Sequence, residues 1–238
     1  MTNNFHRPHH KAIAAVLAAL DGDLLRRHQC WFGGGTAIAL RYGEYRESVD
    51  IDFLVADAAG YREMRGLLHN ADSLTAICRS PLVLTREIRS DQYGIRTAIA
   101  MVDAIIKFEI VFEARIALEV PTAKDNVCGI ASLAVVDLVA SKVLANSDRW
   151  NDDGVYNRDV IDLAMMKPAR PLLQAGLAKA TGAYGTAAAQ DLQQALQRLQ
   201  QRSGWLERCM TALQVSVPRA VVWKQLSALQ KQLGQMRL

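Results

Sequence analysis

The feature that most constrains the fold lies in residues 31–55, WFGGGTAIALRYGEYRESVDIDFLV, where three glycines precede a helical pattern and then a strand. Side chains of a strand alternate between its two faces, so Asp50 and Asp52 of VDIDFLV point to the same side. The apolar residues expected to share the other face are Val49, Ile51, Phe53 and Val55. Two such carboxylates after a glycine turn that opens a helix can hold a divalent cation against phosphates bound to backbone N–H groups.

The glycine run and the two aspartates are each weak signals when taken alone. Three glycines are usually only a turn, and D-x-D on a strand is often a solvated face. Within one short unit the combination is much more specific, because Mg²⁺ takes one or two carboxylates and lets substrate phosphates complete its shell. A pair of such ions can stabilise the attacking and leaving oxygens of an in-line displacement. Thr36 adds a hydroxyl at the start of the helix.

These residues also resemble a known family. GGGTAIAL followed by R-x-S-x-DIDF is similar to the nucleotidyltransferase superfamily with the polymerase-β-like fold. More narrowly, it resembles the AbiEii/AbiGii-type nucleotidyltransferase toxins of bacterial toxin–antitoxin and phage-defence systems. The match runs roughly from Phe32 to Leu163, and the rest of the chain matches only as helical. The resemblance implies that Ser48 belongs to the active-site motif.

Length and composition fit a folded enzyme of this kind. The 238 residues can form one large domain or two modest ones, and half of them are apolar. A net charge of +4 permits a nucleotide or nucleic-acid partner without requiring one. Four scattered cysteines without C-x-x-C favour reduced thiols in a cytosolic protein. No apolar run reaches membrane-spanning length and no signal-peptide core is present, so we expect a cytoplasmic protein without membrane contact.

Periodicity predicts strands and helices up to about residue 130 and helices after it. With the resemblance, this implies an α/β (α+β) fold in which a nucleotidyltransferase domain with a mixed β-sheet, residues 1–130, precedes a helical domain, residues 131–238. The first residues, including His6, His9 and His10, are expected to form a mobile tail. The predicted helices of the first domain are Lys11–His28, Thr36–Tyr42 and Asp57–His69. The predicted strands are Cys30–Phe32, Val49–Val55, Leu82–Arg89, Ile95–Val102 and Ile105–Glu113. Pro121–Gly129 is predicted to be a loop.

The strand Ile105–Glu113 has the clearest alternation in the chain. Its polar face carries Lys107 and Glu109. The resemblance implies a third metal-binding carboxylate on a strand next to the aspartates, and Glu109 is the candidate, although the superfamily more often has aspartate there. Glu113 is a less favoured substitute. A polar face that is merely solvated remains the alternative.

The loop before the aspartates carries two arginines, Arg41 and Arg46, and either could bind a phosphate with two parallel hydrogen bonds. A solvated loop explains each of them equally well. With the resemblance, the predicted nucleotide-binding residues in this part of the chain are Gly34, Gly35, Thr36, Arg46 and Ser48.

A second group of candidate functional residues begins at Lys142, in a predicted helix from Ser132 to Asp148. Its neighbours one turn away are apolar (Leu138, Val139 and Ala145). Because an unpaired buried ammonium is costly, a carboxylate or a phosphate should lie near Lys142. Alternatively, the side chain extends past the edge of the helix to water.

The next predicted helix, Tyr156–Met166, contains Arg158 together with Asp159 and Asp162, which share a face at spacing i, i+3. Alone, this could be ordinary surface charge. Lysine followed by R-D-x-x-D-L nevertheless resembles the downstream motifs of the AbiEii-type family. The resemblance implies that Lys142 contacts nucleotide phosphate and that Asp159 belongs to the catalytic set. Arg158, at a matching position of the motif, is a further candidate nucleotide-binding residue.

Together, these observations predict an active site in a cleft between the two domains. The enzyme would bind an NTP with Mg²⁺ at Asp50, Asp52 and Glu109, and transfer the nucleoside monophosphate to an acceptor. The predicted catalytic residues are Asp50, Glu109, Lys142 and Asp159. The resemblance implies that the acceptor is the 3′ end of a tRNA and that the protein is a toxin with a separately encoded antitoxin.

Three other functions stay open at this stage. The acceptor could be a small molecule such as an aminoglycoside, or a hydroxyl group of a protein. The chain could also be a nucleotide- or partner-binding module that keeps the fold without the chemistry. Beyond Lys167 the pattern predicts four further helices, in which Trp205 and Trp223 are expected to pack rather than to stack on bases.

Overall fold

A five-stranded mixed sheet organises the N-terminal part of the chain in the computed structural model, which describes residues 5–69 and 73–236. The strands are β1 Trp31–Gly33, β2 Ile51–Val55, β3 Leu84–Ser90, β4 Gly94–Met101 and β5 Ala104–Phe112. They lie in the order β1-β2-β5-β4-β3, in which only the β2–β5 pair is parallel. The predicted mixed sheet is confirmed. Strand β2, which carries Asp52, lies between β1 and β5.

One face of this sheet is covered by apolar packing, as the alternation in the sequence predicts. Alternate residues of β2 and β5, such as Phe53 and Phe108, are buried in a core with residues from the surrounding helices. Val49 does not join them: it is 43% exposed, because β2 begins only at Ile51. Asp50 therefore precedes the strand and Asp52 lies within it. The helices of this part are α1 Pro8–Ala19, α2 Gly22–Arg27, α3 Gly34–Arg41 and α4 Ala58–His69.

The N-terminal residues differ from the predicted mobile tail and single helix. Phe5 and His10 are buried, and α1 begins at Pro8. The predicted helix over residues 11–28 is two helices, because Asp21 caps a new one: its Oδ1 accepts hydrogen bonds from the N–H groups of Asp23 and Leu24. The predicted loop Pro121–Gly129 contains the strand β6 Asn126–Val127, which forms a small hairpin with β7 Ile130–Ala131 directly after it.

The chain divides into two compact units. The first contains the described residues up to Arg41 together with Ser48–Ala134. The second contains Tyr42–Glu47 and the residues from Val135 onward. The domain limits read from the sequence, 1–130 and 131–238, stay predictions.

The second unit is helical, as predicted for the C-terminal part. Its helices are α5 Val135–Arg149, α6 Arg158–Met166, α7 Arg170–Tyr184, α8 Ala187–Gln201, α9 Trp205–Ala212 and α10 Arg219–Gly234. Helix α5 packs against α6, α7 and α8. Trp205 is buried within this unit, which agrees with its predicted packing role. Among the described residues, no helix is both long and apolar enough to cross a membrane.

The segment Tyr42–Glu47 packs in the second unit through main-chain hydrogen bonds. The N–H of Ser216 donates to the carbonyl of Tyr45 (2.9 Å), and the N–H of Glu47 donates to the carbonyl of Leu213 (3.2 Å). This segment was predicted to be a loop in front of the aspartates. The structure fixes it against residues that lie far away in the sequence.

Candidate active site

In the first unit, the glycine turn brings the first residue of helix α3 next to Asp52 on strand β2. Gly33, at the end of β1, is the strand partner of Asp52 on β2. Gly34 follows with a φ of +67° and begins α3, and a Cβ atom on Gly34 would overlap the carboxylate of Asp52. Only glycine therefore fits this position. The first N–H groups of a helix have no partner within the helix, so a carboxylate and a potential anion site are adjacent here.

Ser48 lies next to the first turn of the same helix. The hydroxyl of Thr36 donates to Oγ of Ser48 (2.8 Å), and Thr36 is buried. The backbone N–H of Ser48 donates to Nε2 of the buried His10 (3.2 Å). This nitrogen can accept only if it carries no proton, so the bond requires the tautomer protonated at Nδ1. The structure thus brings Gly34, Thr36 and Ser48 together, and it adds His10, which the sequence placed in a tail.

The candidate third carboxylate is close to Asp52 but already has a partner. Glu109 on β5 is the strand neighbour of Asp52, so both side chains lie on the same face. Oε1 of Glu109 accepts a hydrogen bond from Nε of Arg96 at 2.5 Å. The less favoured candidate, Glu113, is buried and bound by Arg115. Within the part of the chain that the structure describes, no three His, Cys, Asp or Glu side chains are grouped closely enough to hold a metal ion.

Asp50 and Asp52 carry carboxylate oxygens, the kind of donor that a Mg²⁺ ion completed by a substrate requires. Both carboxylates are partly accessible, and Asp52 lies against Gly34 at the N-terminus of α3. Mg²⁺ is usually bound by one or two carboxylates while phosphate oxygens and water fill the remaining positions. A complete protein cage is therefore not needed. Glu109 would add a third carboxylate through Oε2, since Arg96 binds Oε1.

In the second unit, Lys142 is surrounded by carboxylates. Its Nζ lies 2.9 Å from Oδ1 of Asp159 and 2.7 Å from Oδ2 of Asp162. Lys142 is only 5% exposed, so its ammonium does not extend to water. The carboxylate partner expected from the apolar surroundings of Lys142 is present, and there are two of them.

Asp162 is also the partner of the segment Tyr42–Glu47. Nε of Arg46 lies 2.6 Å from Oδ1 of Asp162, and Nη2 lies 2.8 Å from Oδ2. The hydroxyl of Tyr45 donates to the same Oδ1 at 2.5 Å. Nη1 of Arg46 donates to the carbonyl of Glu47 (2.6 Å), and the residue is only 4% exposed. Its predicted contact with a nucleotide phosphate would thus require it to leave a fully buried carboxylate.

Two members of this buried cluster were missed in the sequence. Arg149 donates from Nε and Nη2 to Asp159 at 2.8 and 3.0 Å. It stands seven residues, two helical turns, after Lys142, so the shared helix face was a usable signal. Tyr45 gave no such signal, because its partner Asp162 lies 117 residues away.

Arg158 is partly buried in the first turn of α6, and no hydrogen bond or ion pair joins it to another described residue.

The electrostatics of the cluster keep both aspartates ionised. Burial acts to raise the pKa of Asp159, but the charges of Lys142 and Arg149 hold it well below its usual value. Burial likewise opposes ionisation of Asp162, and Arg46 and Lys142 lower its pKa. Burial and the charge of Asp162 raise the pKa of Tyr45 well above 10, so its phenol stays neutral. Three cationic side chains thus face two carboxylates, an excess of one positive charge.

Comparison with known families concerns both the glycine turn with its two aspartates and the cluster around Lys142. A family model described as "Nucleotidyl transferase AbiEii toxin, Type IV TA system" matches residues 16–225. The chain belongs to the AbiEii family. The matched range includes the glycine turn, both aspartates and the cluster around Lys142. The resemblance to the AbiEii family that the sequence indicated is confirmed. The family consists of nucleotidyltransferase toxins of type IV toxin–antitoxin systems.

Two solved structures share the fold of this AbiEii protein. A candidate nucleotidyltransferase from H. pylori is 16% identical, with a TM-score of 0.53 over 97% of this chain and 96% of that chain. JHP933 from Helicobacter pylori is 17% identical, with a TM-score of 0.52 over 95% and 92% of the two chains. At these identities the likeness concerns the fold alone. Comparison with curated proteins finds no match.

Proposed function

We propose that this AbiEii protein is a Mg²⁺-dependent enzyme that transfers a nucleoside monophosphate from an NTP to the 3′ end of a tRNA and releases pyrophosphate. The observation that carries the proposal is the carboxylate of Asp52 packed against Gly34 at the N-terminus of α3. That arrangement combines a cation ligand with the first N–H groups of a helix, which have no partner within the helix, and an NTP–Mg²⁺ complex needs both.

The residues of the first unit would bind and orient the triphosphate. Backbone N–H groups at Gly34 and Gly35 would donate to phosphate oxygens, and the hydroxyl groups of Thr36 and Ser48, which are joined by a hydrogen bond, would line the same site. Asp50 and Asp52, with Glu109 as the third candidate, would hold Mg²⁺. When bound, the ion supplies neutralisation of the charge on the phosphates. In-line transfer then depends mainly on positioning and on fixed charges.

The cluster around Lys142 would supply part of that fixed charge. Its excess positive charge is held by side chains that cannot reorient easily, because their partners are buried. Preorganised charges of this kind stabilise developing negative charge more effectively than water does. The partly accessible Arg158 is the proposed direct phosphate contact, and Lys142, which is buried between two carboxylates, would neutralise phosphate charge. Asp159 would orient Lys142 through their hydrogen bond or take part in proton transfer.

The biological role follows from the family and the proposed reaction. Modification of the 3′ end of tRNA would inhibit growth, so the protein would act as a cytoplasmic toxin. A separately encoded antitoxin is the expected partner in a type IV system, where it counteracts the toxin's effect.

The reaction can be tested with purified protein, Mg²⁺, each α-³²P-labelled NTP in turn and total tRNA. Asp50→Ala is the active-site variant, and Asp103→Ala, an exposed turn residue of the same unit, is the matched control. We expect label on tRNA with the wild type and Asp103→Ala, and none with Asp50→Ala. Label on protein alone would mean that the acceptor is a protein and not tRNA. Absence of both transfer and NTP binding in calorimetry would overturn the proposal.

A further inference from the structure

A row of charged residues crosses the sheet from the aspartates to its edge. Asp52 on β2 is paired with Glu109 on β5, and Glu109 is paired with Arg96 on β4. Arg96 is in turn paired with Arg89 on the edge strand β3. Directly paired residues place their side chains on the same face of a sheet. Asp52 and the two arginines therefore lie along one line on one face.

A second row on the same face adds two further cations. Lys107 stands two residues before Glu109, so its side chain has the same orientation. Lys107 is paired with Ala98, and Ala98 is paired with Arg86 on β3. We call Arg86, Arg89, Arg96 and Lys107 the basic strip.

The basic strip is available to a binding partner. Arg86, Arg89 and Lys107 are exposed, and their side chains form no hydrogen bond or ion pair with another residue in the described ranges. Arg96 is half-exposed and holds Glu109 and Asp91. The opposite face of these strands is buried in the core. The strip is thus on the outer face of the sheet, where charged side chains are not needed for packing.

The position of the strip relative to Asp52 indicates which substrate it serves. Gly33 pairs with Asp52 from one side, and Glu109 pairs with it from the other. The glycine turn and the basic strip therefore lie on opposite sides of Asp52. From Asp52 to Arg89 there are three inter-strand spacings, about 14 Å in all. Phosphates of an NTP bound at the turn would be on the glycine side, which leaves the strip for the acceptor.

We propose that the basic strip binds the phosphodiester backbone of an RNA acceptor and guides its end toward Asp50 and Asp52. The inference rests on the proposed function and locates the surface that binds its acceptor. The three exposed cations Arg86, Arg89 and Lys107, with Arg96 beside them, match a chain of phosphates, and arginine binds phosphate oxygens with two parallel hydrogen bonds. A polycationic small molecule such as an aminoglycoside would be repelled. An acidic protein is the competing occupant that the experiment must exclude.

The test measures binding without chemistry, so that it does not depend on the transfer reaction. The full chain is titrated against fluorescently labelled total tRNA without NTP, at salt concentrations from about 50 to about 200 mM. The strip variant is Arg86→Gln/Arg89→Gln/Lys107→Gln. The matched control is Lys11→Gln/Arg26→Gln/Arg27→Gln, which removes the same charge from exposed residues of α1 and α2. Circular dichroism verifies that both variants are folded.

We expect the strip variant to bind tRNA at least tenfold more weakly than the wild type, and the slope of log Kd against log salt to fall by about 2 to 3. The control should bind as the wild type does. Equal weakening by both variants, or no weakening by the strip variant, would overturn the proposal. Polyglutamate serves as the probe for an acidic protein, and a strip variant that loses polyglutamate binding but keeps tRNA binding would also overturn it. A wild-type chain that binds tRNA through the strip without transferring label would count against the proposed function alone.

Discussion

Lys142 and Asp162 form a buried ion pair in which Nζ lies 2.7 Å from Oδ2. Asp162 has no exposed surface, and it also accepts hydrogen bonds from Arg46 and Tyr45. One carboxylate therefore anchors both Lys142 and the segment that leads, three residues later, to Asp50. The pair explains why a lysine can stand among apolar neighbours on α5.

Replacing Asp162 with asparagine should destabilise the protein strongly. The substitution leaves Arg46 without its bidentate partner and removes one of the two carboxylates beside Lys142. Loss of one member of a buried ion pair costs about 3–5 kcal/mol. The free energy of unfolding, measured by urea denaturation, should fall by that amount. Glu207→Gln, which breaks an exposed pair with Arg219, is the control and should leave the unfolding curve unchanged; an equally unchanged curve for Asp162→Asn would contradict the buried network.

The buried aspartates also predict the response to acid. The pKa values of Asp159 and Asp162 are lowered in the folded protein. Their contribution to stability is thus fully present above the ordinary aspartate pKa of about 3.9, and it is lost as the pH falls through the folded-state values. We expect the Tm of the wild type to fall steeply below pH of about 4. The fall should be shallower in Asp162→Asn, which lacks one of these carboxyl groups, and parallel curves would exclude this explanation.

Tyr45→Phe isolates one hydrogen bond of the cluster. The phenol donates to Asp162 at 2.5 Å inside the protein, and its raised pKa keeps the proton in place at neutral and mildly alkaline pH. A hydrogen bond to a charged group contributes about 1.5–3 kcal/mol. Urea denaturation of Tyr45→Phe should show a loss in that range, smaller than the loss in Asp162→Asn. A loss larger than that of Asp162→Asn would mean that Tyr45 matters for packing rather than for this bond.

Gly34→Ala should abolish transfer, because an alanine Cβ would displace the carboxylate of Asp52 and the backbone has a φ of +67°. Gly66→Ala provides the comparison: Gly66 lies within α4, has open space around it and has no positive φ. Alanine in a helix is favoured over glycine by about 0.5–1 kcal/mol, so this control should be active and slightly more stable. Normal label transfer by a folded Gly34→Ala protein would show that the close contact is not needed.

Local patterns in the sequence were enough to predict most of the sheet and helices. Alternation predicted β5, since Ile106, Phe108 and Ile110 fill the core, and the helical periodicity after residue 130 predicted the second unit. Short elements gave no signal. The strands β6 and β7 have two residues each, too few to show an alternation.

Long-range contacts limited what could be predicted of the site. The need for a carboxylate near Lys142 followed from its apolar neighbours alone. Arg46 looked like a solvated loop residue or a phosphate ligand, because nothing near it in the sequence reveals Asp162, 116 residues away. His10 was missed for the same reason: its partner is the backbone of Ser48, and backbone groups leave no trace in side-chain patterns.

The central claim is that the Asp50–Asp52 site performs nucleotidyl transfer, and the stoichiometry of the products tests it most directly. Pyrophosphate release and incorporation of labelled monophosphate into tRNA would be measured in the same reaction, with wild type and Asp52→Asn compared. We expect one pyrophosphate for each monophosphate incorporated by the wild type, and neither product with Asp52→Asn. Release without incorporation, or equal incorporation by both proteins, would contradict it.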